Sequence, residues 1–327
     1  MNNILLLDPS IGSLNKGDEI IMECVESELS SLLDGGFVMR LPTQLPPLLG
    51  YQVARNTQRV KIYKNCNFKF VGGSNLLVKN LRCTQPQWNI NLANYSLLEG
   101  AVLVGVGAGA GEKSNRYTEY IYRKMLHPVY FHSVRDERSR NYVESLGLKA
   151  INTGCVTMWA LSPEFCRQIP TKKSDRVIFT VTAQPRLRES SKEILNILRR
   201  NYMEIWFWPQ GFGDDAFLRR LGDVSDIHFL EATKDAYRRF LEANDTDYVG
   251  TRLHGGVYAM RHLRRSIILS IDERARSIHE KNHLNCIEID RLYDLEEMIN
   301  DDLITDVKMD LTAINQWKSQ FGIDGKN

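Results

Sequence analysis

A chain of 327 residues is long for one hydrophobic core and divides most naturally into two domains. Its 42 basic and 40 acidic side chains leave a formal charge of +2, a balance that predicts no blanket attraction to nucleic acid or to an anionic membrane. Hydrophobic residues at 43% and charged residues at 25% argue against disorder. The N-terminus carries a short apolar run without a basic region ahead of it or a cleavage-like site after it, and no stretch approaches the roughly 20 apolar residues that cross a bilayer. Six cysteines without a CxxC pair read as reduced, buried and inert. A cytoplasmic, metal-free protein is the expectation.

Short apolar runs alternate with amphipathic stretches along the chain. Residues 4–7 read as a strand and 19–33 as a helix. Strands at 68–71 and 101–106 each run into a glycine-rich turn. A helix at 117–126, a strand at 129–133 and a helix at 138–146 follow. This βαβ rhythm predicts a parallel sheet with helices on both faces. It pauses over 161–176, where Pro163 and Pro170 fall in a polar run, and resumes with strands at 177–181, 205–208, 248–250 and 266–271. Helices fill the gaps at 192–200, 235–241 and from 255 onward. The expected fold class is α/β, with two Rossmann-like domains facing a central cleft, residues 1–165 and 166–305. A last helix at 311–321, within 306–327, would pack back on the first domain.

Such folds bind ligands where strand ends meet helix N-termini, so those loops hold the candidates. After the first strand, Gly12 and Gly17 permit tight turns. Asp18 either caps the next helix or, with Asn15, faces the cleft and holds sugar hydroxyls. Gly72, Gly73, Ser74 and Asn75 form a second turn, suited to close backbone approach or to plain packing. Residues 105–111 match a dinucleotide-binding pattern, but off the first βαβ unit, where phosphate approach or close packing is the better reading. Arg135, beside Asp136, is either a buried ion pair or a fork of donors for a carboxylate or phosphate.

The most informative loop is 248–257. It places Arg252 and His254 at a strand end, with Gly255 and Gly256 opening a helix whose amides and dipole favour an anion. A histidine there can also move a proton near neutral pH. Trp208 and Gln210 end another strand and could stack on and hydrogen-bond to a sugar. Asp272 and Arg274 end the next strand and could line the same cleft, although Asp272 could do no more than cap a helix.

The set Asn15-x-Gly17-Asp18, Gly72-Gly73 followed by Leu76-Leu77, Ser133-Val-Arg135-Asp136 and Thr251-Arg252-Leu253-His254-Gly255 resembles the polysaccharide pyruvyl transferase family, with the motifs in family order up to about residue 290. The resemblance implies a GT-B-like pair of Rossmann domains, with 1–165 on the acceptor side and 166–305 on the donor side. It implies phosphoenolpyruvate as co-substrate rather than a bound cofactor, and a pyruvate ketal built on a sugar of a surface polysaccharide or its precursor. The donor-binding positions fall on Arg135, Arg252, Leu253 and His254, with Gly255 and Gly256 beside them. Two departures are Ser74, where many members have a third glycine, and Val156, where proline is common. The loop after Thr182 lacks the acidic residue expected there.

The partners expected are phosphoenolpyruvate and a sugar acceptor, with a lipid-linked acceptor and peripheral contact at the inner face of a membrane compatible with the family, and no nucleic acid. Residues 261–265 are the basic stretch available for such contact. Two rival readings are a GT-B glycosyltransferase using a nucleotide sugar and a non-catalytic sugar- or phosphate-binding protein.

Overall fold

The computed structural model describes residues 1–83, 87–109, 114–271 and 281–323. Two units emerge from the contacts. Unit 1 comprises Met1–Ser13, Ile21–Trp159 and Asp310–Asn327, and unit 2 comprises Leu14–Ile20 and Ala160–Met309.

In unit 1, β1 (Asn2–Asp8) pairs in parallel with β2 (Gly36–Pro42) and with β3 (Phe68–Val71), which pairs in turn with β5 (Ala101–Leu103). A second parallel run joins β4 (Ser74–Leu77), β6 (Val106–Ala108), β7 (His132–Val134) and β8 (Ala150–Asn152) in that order. The expected strand at 101–106 is therefore two strands. Gly105 sits at φ +63°, a left-handed conformation that breaks the ladder, and its N–H turns to the Ser133 hydroxyl at 2.8 Å. His132 bridges the same break, its Nδ1 accepting from the Leu103 amide. The helices Arg116–Met125 and Glu137–Ser145 bury Ile121, Tyr122, Met125 and Val143 in the core with Leu5, Leu7, Val71 and Leu103.

The helix Leu311–Ser319 belongs to unit 1. Its Trp317 is fully buried, edge-on to Phe70 and Trp159, and Lys318 pairs with Glu28.

Unit 2 carries one six-stranded parallel sheet in the order β11-β10-β9-β12-β13-β14, formed by β9 (Arg176–Thr180), β10 (Glu204–Phe207), β11 (Ile227–Phe229), β12 (Asp247–Gly250), β13 (Ser266–Ser270) and β14 (Cys286–Glu288). Counted within the unit, that order is 3-2-1-4-5-6, which reverses between β9 and β12. The helix Arg188–Asn201 presents Ile194, Leu195, Ile197 and Leu198 to Val177, Phe179 and Phe207. Burial of each such side chain stabilises by roughly 1.5–3 kcal/mol. The reversal leaves a crevice at the carboxyl ends of β9 and β12, which is where the loop carrying Arg252 begins.

Candidate active site

In unit 2 the helix Leu253–Arg261 starts three residues after β12, with Arg252 as its N-cap residue. The Gly256 amide already donates to the Arg252 carbonyl at 3.1 Å, so Gly256 is not a free anion donor. Ahead of it, the Leu253 and Gly255 amides make no hydrogen bond among the described residues. The paired glycines also have a packing reason. A Cβ on Gly256 would meet the Tyr248 ring at 2.8 Å, and one on Gly255 the Gln210 Oε1 at 2.7 Å. Tyr248 donates its hydroxyl to the Arg252 carbonyl at 2.7 Å, and the Thr180 and Tyr248 hydroxyls lie 2.7 Å apart. Burial raises the Tyr248 phenol well above its ordinary value, so it stays a donor.

Arg252 is held by a residue that sequence reasoning missed. Asp214, fully buried, receives Arg252 Nη2 at 2.6 and 2.7 Å and Nε at 3.2 Å. Its remaining lone pairs accept the Gly211 amide at 2.7 Å and the Ala183 amide at 3.0 Å. The carboxylate is saturated, and the guanidinium is not: Nη1 carries no hydrogen bond among the described residues, and the side chain keeps 19% of its surface exposed. The signal for Asp214 was local, a carboxylate opening the helix Asp214–Arg219 behind Gly213 at φ +84°.

The segment Leu14–Ile20 reaches the same loop. Asn15 makes an isolated antiparallel bridge with Gly211, and its Oδ1 accepts from Gln210 Nε2 at 2.9 Å and from the Gly17 amide at 3.0 Å. Gln210 is 2% exposed, and its Oε1, beside Gly255, has no hydrogen-bond partner among the described residues. The structure thus brings Asn15, Gln210, Arg252 and Gly255 together from three separate motifs. His254 is buried. Asp18 is also buried, and lies in the first turn of the helix Gly17–Glu28, which starts one residue ahead of it, rather than at the cap. Trp208 is fully buried, stacked on Tyr237 at 4.0 Å with its indole N–H on the Thr233 carbonyl, so it offers no face to a sugar. Asp272 and Arg274 lie outside the described residues.

Unit 1 brings together another part of the pattern. Arg135, at the end of β7, is buried against Gly107, with Nη2 on the Asn75 side-chain oxygen. Its neighbour Asp136 sits 3.5 Å from Arg135 Nε but spends its other oxygen capping the helix Glu137–Ser145 through the Ser139 amide at 2.7 Å. Gly73 packs on the Gly105 carbonyl, 3.1 Å from where a Cβ would stand. Ser74 adopts φ +115°, a conformation that favours glycine and is strained for serine. That strain falls on the position where the family often has a third glycine.

In the basic stretch at 261–265, two of the arginines are committed to the fold. Arg265 is 1% exposed, paired with Asp247 at 2.8 Å and donating to four carbonyls, and Arg264 donates to the Leu241 carbonyl. Among the described residues, no helix is long and apolar enough to cross a membrane.

Two α/β units with parallel sheets and ligand loops at their carboxyl ends define a GT-B-like fold, and the solved structures agree. The chain superimposes on a putative UDP-N-acetylglucosamine 2-epimerase from Listeria monocytogenes with a TM-score of 0.57 at 9% identity, covering 99% of each chain. A co-structure of S. aureus MnaA with UDP gives 0.54 at 12% identity, covering 100% of this chain and 99% of the other. Among curated proteins, no sequence matches. The family model for polysaccharide pyruvyl transferase matches residues 15–273, and the chain belongs to that family.

Proposed function

We propose that the protein transfers the pyruvyl group of phosphoenolpyruvate to two hydroxyls of a sugar, giving a cyclic ketal on a surface polysaccharide or its lipid-linked precursor. The observation that carries this reading is Arg252. It stands at the strand-order reversal of unit 2, oriented by a saturated buried Asp214, with one guanidinium edge unspent among the described residues, beside the first turn of a helix. A carboxylate or phosphate is the ligand that such an edge and such a helix end attract. Arg135, in unit 1, is proposed as a donor-binding group by its place in the family pattern alone.

The chemistry balances without a redox partner. A proton added at C3 of the enol makes C2 electrophilic, and one sugar hydroxyl adds there and loses its proton. The second hydroxyl then displaces inorganic phosphate and closes the ring. His254 is proposed as the proton donor at C3 or as the group that stabilises the departing phosphate. Asp18 is proposed as a base for the hydroxyls. The UDP in the S. aureus structure marks a likeness of fold, and the family match favours phosphoenolpyruvate over a nucleotide sugar.

Phosphate release from phosphoenolpyruvate, measured against galactosyl, glucosyl and N-acetylmannosaminyl acceptors, tests the proposal. Acceptor-dependent release that disappears in Arg252→Ala is the expected result. No release with any acceptor, together with thermal stabilisation by a UDP-sugar and none by phosphoenolpyruvate, would overturn it.

A further inference from the structure

The near-neutral total conceals an uneven distribution of charge. Between Asp34 and Glu99 the chain holds no acidic residue, yet it holds eight Arg and Lys. Some of these are spent internally. Arg40 pairs with Glu26 and Asp8, and Lys69 is buried on the Lys64 and Glu99 carbonyls. Arg55, Arg59 and Lys61 are exposed instead, on and around the helices Gly50–Ala54 and Gln58–Lys64, and none makes an ion pair among the described residues.

Large apolar side chains stand exposed among them. Leu49, Tyr51 and Leu92 each keep more than half of their surface in water, at 51, 58 and 56%, and Ile62 keeps 39%. Leu49, Tyr51 and Leu92 share one region, and Ile62 lies on the next helix, Gln58–Lys64. The Arg55 guanidinium lies 5.5 Å from the Tyr51 ring centre, and a Cβ on Gly50 would stand 2.7 Å from that of Ala93, next to Leu92. The region adjoins the carboxyl end of β1, because Gln44 donates to the Pro9 carbonyl and Leu45 packs over Gly12.

We propose that this face of unit 1 docks on an anionic lipid bilayer, with Leu49, Tyr51, Ile62 and Leu92 entering the boundary between headgroups and acyl chains. Arg55, Arg59 and Lys61 bind the lipid phosphates. Cations alone would suit any polyanion, but four apolar side chains set among them gain nothing from a nucleic-acid backbone and do gain from leaving water at a membrane interface. The stretch that carries these residues has no carboxylate from residue 35 to 98, which lowers the repulsion an anionic leaflet would exert on it. The inference stands on this surface alone and holds whatever donor or acceptor the protein uses.

The test is co-sedimentation of the full-length protein with vesicles of neutral phosphatidylcholine, or of phosphatidylcholine with about a third phosphatidylglycerol, at low and high salt. The wild type is expected to bind the anionic vesicles and to leave them as salt screens the charges. The triple variant Arg55→Glu, Arg59→Glu, Lys61→Glu should lose more than about tenfold in partition. Reversal of Arg167 and Lys172, exposed cations of unit 2, should change partition little. Leu49→Ser with Ile62→Ser should weaken binding several-fold while leaving its salt dependence unchanged. Absence of wild-type binding to anionic vesicles would overturn the proposal. So would equal binding by the charge-reversed protein, or binding to a single-stranded polynucleotide that displaces vesicles and ignores the Leu49 and Ile62 changes.

Discussion

Unit 2 holds two buried carboxylate–guanidinium pairs at opposite ends of one sheet, and their difference separates a structural pair from a functional one. Asp247 and Arg265 stand at the amino ends of β12 and β13, and Asp214 and Arg252 at the carboxyl end. Arg265 spends Nε, Nη1 and Nη2 on Asp247 and on the carbonyls of Thr171, Met298, Ile299 and Asp301. Asp247 is also held by the Tyr202 hydroxyl and the Ser174 amide. Burial pushes its carboxyl above the usual range, and Arg265 and Tyr202 pull it back. Among the described residues Arg252 spends only one edge. A buried cation with every donor used stitches loops together, whereas one whose partner is saturated and whose outer edge is open is oriented toward something else.

The largest effect should come from the saturated pair. Arg265→Met leaves Asp247 charged, buried and short of its main partner, and four carbonyls lose a donor. A stability loss of about 3–5 kcal/mol is expected in urea unfolding, with the remaining folded protein still active. An unchanged midpoint would remove Arg265 from the structural role.

Unit 1 has its own buried, fully used group. His132 accepts the Leu103 amide on Nδ1 and lies 3.1 Å from the His127 carbonyl on Nε2, which fixes the neutral tautomer with its proton on Nε2, and burial lowers its pKa to about 4. The unfolded chain binds a proton near pH 6.5, so stability is full above that value and falls as pH drops through 6.5 toward 4. The loss should approach about 3 kcal/mol at pH 4. His132→Gln should flatten that part of the stability–pH curve, and an unaltered curve would show that another group sets it.

Asp214→Asn should act on turnover more than on folding. It places an amide donor where Arg252, Gly211 and Ala183 all donate, so the arginine loses its orientation. Loss of a charged hydrogen bond of about 1.5–3 kcal/mol corresponds to a fall of roughly 10–100-fold in kcat/KM for phosphoenolpyruvate. A variant that unfolds earlier yet keeps kcat/KM would make Asp214 structural, like Asp247.

The smallest effect is expected at Ser74→Gly. Relief of the φ +115° conformation should raise stability by about 1 kcal/mol against the entropy that glycine adds to the unfolded chain. A melting temperature below that of the wild type would mean that the serine hydroxyl holds the turn.

The sequence by itself determined the alternation of strands and helices, and with it the α/β class, and the placing of Arg252 and His254 at a strand–helix turn. Those features rest on local periodicity and on glycine, which neighbours in the chain decide. The strands it did not show, β2, β4, β8, β11 and β14, are all sheet edges. An edge strand buries one flank only, so its apolar signal is diluted, as in β2, where Phe37 is exposed and Arg40 points to an ion pair. Tertiary structure alone decided the rest. Asp214 meets Arg252 across 38 residues, Gln210 meets Asn15 across 195, and Arg265 is buried by carbonyls from loops up to 94 residues away. No local pattern encodes which of two similar arginines is enclosed and which keeps an open edge, because that depends on how many acceptors the fold brings within about 3 Å of each guanidinium.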